Sequence, residues 1–395
     1  MEINEATWHF IRSHANDNVR DLALRGCKDV SVDFKFALQQ IEGRQKSKDK
    51  LPDFYQNENI LYPPTVSMEQ CSSTPTAQYK ASLVEGETFA DLTGGFGIDT
   101  FALSRRFKHG YHIEPNSALS ELVQHNASVL NISNLEFIQD TMEESLSQIP
   151  NVDCLYIDPS RRDSHGNRVV CLEDCTPNII EWKSTLLGKC KKLMIKLSPM
   201  IDIKRSLLQL PETSDIYTIA VNGECKEVLL ILEAGKDPTD RCIHTINILK
   251  DGYQIFETTA SEEVDAMPTL TNTLGRYLYE PNAAVLKAGT FKSIATRFGL
   301  EKLHPHTHLY TSDILAKDFP GRIFNVDDSY SFNKKEIKKA LGDIKKANVA
   351  VRNFPLTAEE LKALMKIKDG GEVFLFGATL TDGKLTVIQA TKADH

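Results

Sequence analysis

Across residues 1 to about 60 the apolar positions recur at helical spacing, with no strand-like alternation. The stretches "ANDNVRDLALRG" and "VSVDFKFALQQIEGRQKSK" each read as a helix, the first capped near Asn16 or Asp17. The following "LPDFYQNENILYPPTVSMEQCSS" is rich in turn residues and links this part to the next. From Thr88 to Glu233 short apolar runs alternate with amphipathic stretches. The runs "TFADL", "GYHIEP", "NLEFIQ", "VDCLYID" and "KLMIKLSP" read as strands, with helices such as "NSALSELVQHNASVL" between them. That alternation predicts a parallel sheet covered by helices on both faces. The last two runs, "DIYTIAVN" and "CKEVLLILE", are separated only by Gly223-Glu224. They must form a hairpin, because a parallel connection needs a longer crossover.

The texture changes after Glu233, where "LEAGKDPTDRC" opens a new region. "NAAVLKAGTFKSIATRFGL" has the period of one amphipathic helix ending near Gly299, and "SFNKKEIKKALGD" that of another. "NVAVRNFP" reads as a strand, and "TAEELKALMKIK" as a helix opened by a capping box at Thr357 and Glu360. "EVFLFGATLTDGKLTVIQATK" reads as a hairpin turning on Asp382-Gly383. The pattern therefore predicts an α/β protein with a helical unit and linker at 1–84, the parallel sheet at 85–235 and a smaller α+β part after it.

Composition adds few constraints. The 395 residues suffice for two or three domains, and 41% hydrophobic with 25% charged residues is ordinary for a globular chain. No apolar run is long enough to span a membrane, and the opening "MEINEATWHFIRSHAND" has no basic-then-apolar pattern. The expectation is a cytoplasmic protein with no membrane partner. The eight cysteines contain no C-x-x-C pair and read as free thiols. His304, His306 and His308 alternate but include Pro305 and have no further ligand nearby, so they read as surface histidines and no metal site is expected. A net charge of −8 argues against a uniformly basic nucleic-acid binder. Locally, however, residues 331–368 hold ten Lys or Arg against four Asp or Glu. Lys334, Lys335, Lys338, Lys339 and the later Arg352 are candidate phosphate contacts, against the plain alternative of a solvated helix face. A second basic run includes Arg44, Lys46, Lys48 and Lys50.

The candidate chemistry centres on "TFADLTGGFGIDTFALS", residues 88–104. Gly94, Gly95 and Gly97 sit in a strand-to-helix turn, where backbone N–H groups face a ligand and glycine permits close approach. Acidic residues close the predicted strands: Asp91 the first, Glu114 the second, Asp140 the third and Asp158 the fourth. All four fall on the carboxyl edge of the sheet, where ligands bind in such folds. Glu114 can accept two ribose hydroxyls, and Asp140 an adenine amine. A dinucleotide fingerprint would need a third glycine where Thr100 stands, and no Walker lysine follows the turn. Both departures disfavour a nicotinamide oxidoreductase and an ATPase.

With D-L-T-G-G-F-G, the acidic end of strand two, Asp140, the D-P-S turn at strand four and the terminal hairpin in this order, the segment 85–235 resembles the class I S-adenosylmethionine-dependent methyltransferases. With "YPPTVSMEQCSS", "DPSRRD", "ECKEVL", "LYEPNAAVLKAG", "FPGRIF" and "VRNFPL", the whole chain resembles a bacterial family of such enzymes with a C-terminal THUMP-like domain. The resemblance implies a Rossmann-like seven-stranded methyltransferase sheet, an N-terminal helical unit, and a C-terminal α+β region, ferredoxin-like over 236–320 and THUMP-like over 321–395. It implies S-adenosyl-L-methionine as cofactor. Asp91 and Gly94, Gly95 and Gly97 would bind its methionine part, Glu114 the ribose and Asp140 the adenine, with the segment Met68–Ser72, including Gln70, flanking it and Thr93, Asp99 and Pro115 as further cofactor contacts. THUMP domains bind RNA, so the implied substrate is a base nitrogen in tRNA or rRNA. The turn Asp158-Pro159-Ser160-Arg161 stands where amino-methylating relatives carry Asn/Asp-Pro-Pro-aromatic, so it lacks the second proline and the ring. Arg161 could stack on a base or contact phosphate. No cysteine occurs in "KLSPMID" after strand five, which disfavours covalent attack on a pyrimidine carbon. The unusual turn keeps open a non-catalytic RNA-binding protein on the same fold. The oligomeric state is not legible.

Overall fold

A computed structural model describes residues 3–160, 172–235, 238–333, 337 and 344–393. The chain forms two compact units, Met1–Ser214 with Leu229–Asp237, and Asp215–Val228 with Pro238–His395.

In the first unit, parallel strands β1 (Gly86–Asp91), β2 (Phe107–Ile113), β3 (Leu135–Ile138), β4 (Val152–Ile157) and β5 (Cys190–Leu197) lie in the order β3-β2-β1-β4-β5. The reversal on either side of β1 brings the carboxyl ends of β1 and β4 together, with Asp91 level with Tyr156. β5 is buried along almost its whole length, as expected of an inner strand. β6 (Thr213–Val221) and β7 (Glu224–Glu233) form the expected hairpin, turning on Asn222 and Gly223, both with positive φ (50° and 81°). The last residues of β7 lie beside β5.

The helical reading of the N-terminal part holds, with a shifted cap. The second helix, Val19–Arg25, is capped by Asn18, whose side chain accepts from the backbone N–H of Arg20 and Asp21. Two amide side chains anchor the linker. Gln40 bonds both the N–H and the carbonyl of Tyr62, and Asn126 does the same for Leu61. These bonds satisfy buried backbone groups that have no strand partner. Leu61, Tyr62, Phe54 and Met68 thereby join Phe96, Ile98, Phe101 and Val123 in one core, which seats the glycine turn on the N-terminal helices.

The second unit resumes at Pro238, and its first strands extend the sheet beside β6. β8 (Cys242–Leu249) pairs parallel with β6, and β9 (Gly252–Thr259) antiparallel with β8. The turn-rich segment after Glu233 therefore leads into another strand beside β6 and not into a new sheet. A second, seven-stranded sheet follows, with β10 (Tyr277–Pro281), β11 (Glu301–Lys302), β12 (Tyr310–Ser312), β13 (Gly321–Ser331), β14 (Asn348–Arg352), β15 (Val373–Thr379) and β16 (Leu385–Lys392) in the order β11-β12-β10-β13-β16-β15-β14. The β15–β16 hairpin turns at Gly383. The single helix read between Asn282 and Gly299 is two, Ala283–Ala288 and Ser293–Phe298. Gly289 adopts a left-handed conformation that ends the first after six residues. Periodicity alone does not register such a stop. The expected helix over 331–343 lies almost wholly outside the described residues.

The three glycines of the turn serve different purposes. A Cβ on Gly94 would overlap the buried His112 imidazole, and one on Gly97 (φ 78°) would sit 2.6 Å from Val123 Cγ1. Gly95 (φ 51°) meets only the Thr93 carbonyl at 3.7 Å. Gly95→Ala should therefore cost only the left-handed conformation, about 1–2 kcal/mol. Gly97→Ala adds overpacking of about 1–3 kcal/mol to that. Urea unfolding of the two variants checks the difference; equal losses would mean that Val123 yields freely.

Candidate active site

Four carboxylates gather at the carboxyl edge of the first unit's sheet. Asp91, buried at the end of β1, turns inward and accepts from Thr93 N–H (3.1 Å) and Thr100 Oγ1 (2.6 Å). Burial raises its pKa to about 7, against the lowering effect of the Thr100 bond. Glu114 stands one residue beyond β2 and is half-buried. It accepts from Gly95 N–H at 3.0 Å through one oxygen and from Asn116 N–H at 2.9 Å through the other. Its carboxylate is thus fixed against the most open of the three glycines. Asp140, beyond β3, accepts from Gln148 Nε2 at 2.6 Å. Asp158 follows β4; its N–H donates to Thr93 Oγ1 at 2.7 Å, and its Oδ2 is hydrogen-bonded to Lys196 Nζ.

Asp99 occupies a different position from the other cofactor candidates. Ser72 Oγ (2.7 Å) and Tyr156 OH (2.8 Å) donate to its Oδ2, and Lys80 Nζ lies 2.9 Å from Oδ1. Lys196 Nζ is 3.9 Å from Oδ2. Burial alone would raise the Asp99 pKa, but the attraction of Lys80 and Lys196 outweighs it and holds the group ionised well below the usual carboxylate range. The side chain of Asp99 therefore ties the helix Thr74–Ser82, β4 and β5 to the glycine turn. Ser72, which also accepts from Lys80 (2.8 Å), brings the segment after Gln70 to the same point. Gln70 and Pro115 are exposed, and Pro159 is buried behind Asp158. Ser160 pairs its backbone with Thr176. Arg161 lies outside the described residues, as do Lys334, Lys335, Lys338 and Lys339. Arg352, in the second unit, donates to buried Glu280 at 2.6 Å, and Glu280 also pairs with Arg322.

Three contributors escaped the sequence reading. Lys80 is 1% exposed and sits in a helix that carries no motif. Lys196 lies in the apolar run "KLMIKLSP", which reads as an ordinary buried strand. His112 lies buried under the turn, and burial lowers its pKa to about 4 against the opposing effect of the Gly94 and Gly95 backbone. Nor do the three histidines of 304–308 behave as a plain surface group. His308 stacks on Phe291 at 3.6 Å in a left-handed conformation (φ 49°), while His306 is exposed.

The fold is similar to that of a solved protein over the whole chain. A crystal structure of a "putative methyltransferase" from Porphyromonas gingivalis W83 is 33% identical, with full coverage of both chains and a TM-score of 0.89. The chain belongs to the class I S-adenosylmethionine-dependent methyltransferases with a THUMP-like C-terminal domain. Residues 277–320 match a family described as a ferredoxin-like domain, and 321–392 one described as THUMP domain-like. An uncharacterised S-adenosylmethionine-dependent methyltransferase of Mycobacterium tuberculosis, present in two strains, is 22% identical over 82% of this chain and 86% of its own. The cofactor of this methyltransferase is S-adenosylmethionine. The residues fit it: the turn is open at Gly95, and a preset carboxylate stands beside it. Among the described residues no helix is long and apolar enough to cross a membrane.

The two buried groups at the turn oppose one another in pH. With a folded pKa of about 7 against an ordinary 3.8, Asp91 stabilises the fold at low pH and loses that contribution as pH rises through 7. His112, lowered from 6.5 to about 4, loses stability as pH falls through that window. Asp91→Asn removes only the first effect. Its unfolding free energy should therefore rise relative to the parent by about 1.4 kcal/mol per pH unit between about pH 4 and 7. Urea unfolding of both proteins across that range tests the slope; parallel curves would mean that Asp91 is ionised throughout.

Proposed function

We propose that this methyltransferase modifies a base nitrogen in RNA, tRNA or rRNA, with the first unit supplying chemistry and the THUMP-like region RNA contacts. The observation that carries the reading is the row of strand-end carboxylates beside the open glycine. In it Asp91, Thr93 and the turn Gly94–Gly97 take the methionine part, with Gln70 flanking and Asp99 holding the wall behind. Glu114 and Pro115 take the ribose, and Asp140 the adenine amine. The two backbone bonds to Glu114 leave each oxygen a lone pair for a ribose hydroxyl.

S-adenosylmethionine supplies a methyl group activated on a positively charged sulfur. Asp158 and the backbone at Pro159 and Ser160 receive the target amine and aim its lone pair at the methyl carbon. The new N–C bond would form as the C–S bond breaks and S-adenosylhomocysteine leaves, and the proton that the nitrogen then gives up would pass to the Asp158 carboxylate or to water. Lys196, bonded to Asp158 Oδ2, orients the carboxylate so that its other oxygen accepts the amine N–H. Arg161 contacts the base or a phosphate. Lys334, Lys335, Lys338, Lys339 and Arg352 contribute to the phosphate-binding surface, Arg352 while braced by Glu280.

Glu114→Ala should weaken S-adenosylhomocysteine binding by about 1.5–3 kcal/mol, the range for charged hydrogen bonds. That is about one to two decades in Kd by calorimetry; a loss under about threefold removes Glu114 from the ribose site. For the substrate, bulk tRNA and rRNA are assayed for radiolabelled methyl uptake and by filter binding at two salt concentrations. Asp158→Ala should abolish methyl uptake while RNA still binds. Replacing Lys334, Lys335, Lys338 and Lys339 by Glu should weaken RNA binding and flatten its salt dependence, by up to about 0.9 in the logarithmic slope for each phosphate no longer neutralised. If the parent binds RNA and S-adenosylhomocysteine without transferring methyl, the non-catalytic reading gains. If the quadruple variant binds RNA as the parent does at both salts, the patch is a solvated face.

A further inference from the structure

The second unit carries a cluster of donors remote in sequence from the methyltransferase motifs. β6 contributes Asp215, β8 contributes Cys242 and His244, and β9 contributes Glu257. The registers align them: Asp215 pairs with Cys242 and Tyr217 with His244 across β6–β8, and His244 pairs with Glu257 across β8–β9. Alternation along a strand puts Cys242 and His244 on the same face. One ligand atom from each of Asp215, Cys242 and His244 lies within 4.8 Å of the other two. None is fully exposed; the His244 and Asp215 side chains are 16% and 26% accessible.

The orientation of the imidazole is informative. His244 Nδ1 lies 2.8 Å from Glu257 Oε1, and Nε2 lies 3.1 Å from Asp215 Oδ1 on the side of the cluster. Tyr217 stacks flat on the ring, with centroids 4.2 Å apart and planes at 8°, and fixes its plane. An Nδ1–H given to an outer carboxylate, with Nε2 turned toward further donors, is how metal-binding histidines are held.

We propose that Asp215, Cys242 and His244 bind a divalent transition-metal ion, zinc by the chemistry of the donors, with Glu257 as the outer partner of His244. A thiolate with an imidazole selects zinc-like ions over magnesium or calcium, which take oxygen donors. Three protein ligands leave a fourth tetrahedral position for water or another group. Bonds of about 2.0–2.3 Å place tetrahedral ligand atoms about 3.5 Å apart, so closing on the ion takes about an ångström of side-chain rotation. An imidazolium shared between two carboxylates would explain the contacts of Asp215 and Glu257, but it gives Cys242 no part.

The test uses full-length protein stripped with chelator and then titrated with zinc or cobalt(II). One equivalent of metal should bind, and the cobalt form should show visible d–d bands with a thiolate-to-cobalt charge-transfer band. Cys242→Ser should lose that charge-transfer band, and His244→Gln should lose stoichiometric binding. Glu257→Gln should weaken binding about ten- to hundredfold. Circular dichroism shows whether each variant is folded, and Asp215→Asn provides a milder second probe of the ligand set. Failure of the folded parent to take up one equivalent overturns the proposal. So does uptake with an unchanged charge-transfer band in the Cys242→Ser/His244→Gln double variant, which would place the metal on other cysteines.

Discussion

The active-site wall depends on one ion pair taken out of water. Lys80 and Asp99 are both largely shielded, and a buried pair of this kind survives only when its remaining hydrogen-bonding capacity is satisfied. Here Ser72 and Tyr156 take Asp99 Oδ2, and Lys80 also reaches Ser72. The result is a junction between four chain segments: the end of the N-terminal helices, the glycine turn, β4 and β5. Removing Asp99 would leave the Lys80 charge in the interior without its carboxylate, at a cost of about 3–5 kcal/mol, whereas removing Lys80 still leaves Asp99 facing Lys196. The pair therefore sets where the turn stands relative to the strand ends. Asp158 belongs to the same assembly through Lys196, so the candidate catalytic group and the glycine turn share one support.

Above that junction the turn is packed against protein at Gly94 and Gly97 and open at Gly95. Gly94 and Gly97 are pressed by His112 and Val123, whereas Gly95 faces space. The backbone N–H of Gly95 is already bonded to Glu114. A carboxylate held in this way does not have to be ordered when a nucleoside arrives, which reduces the entropic cost of binding.

What the sequence made legible was what is local along the chain. Glycines in a strand-to-helix turn, acids at strand ends, a two-residue hairpin and a capping box each announce themselves within a few residues. The turn at Gly94–Gly97 and the strand-end placement of Glu114 and Asp158 stand where the pattern put them, and the hairpin stands there with its turn one residue earlier, at Asn222-Gly223. Lys80, Lys196 and His112 were not legible, because their roles come from partners in other elements and their neighbours in sequence are ordinary. The break at Gly289 was missed for the opposite reason: a continuous amphipathic period masked a local stop. The alignment of Asp215 with Cys242 and His244 depends on strand register, which hydrophobic pattern alone does not supply.

The division of the chain has a consequence for how the protein is made. The first unit takes residues 1–214 and then 229–237, so its sheet lacks the strand beside β5 until the hairpin has been synthesised and has turned back. During translation β5 emerges with an unpaired, apolar edge, the kind of surface that recruits other chains. A domain that is continuous in sequence closes its edge as it leaves the ribosome. This one must wait for about forty further residues after β5, which makes the interval before β7 arrives the period of greatest exposure to aggregation.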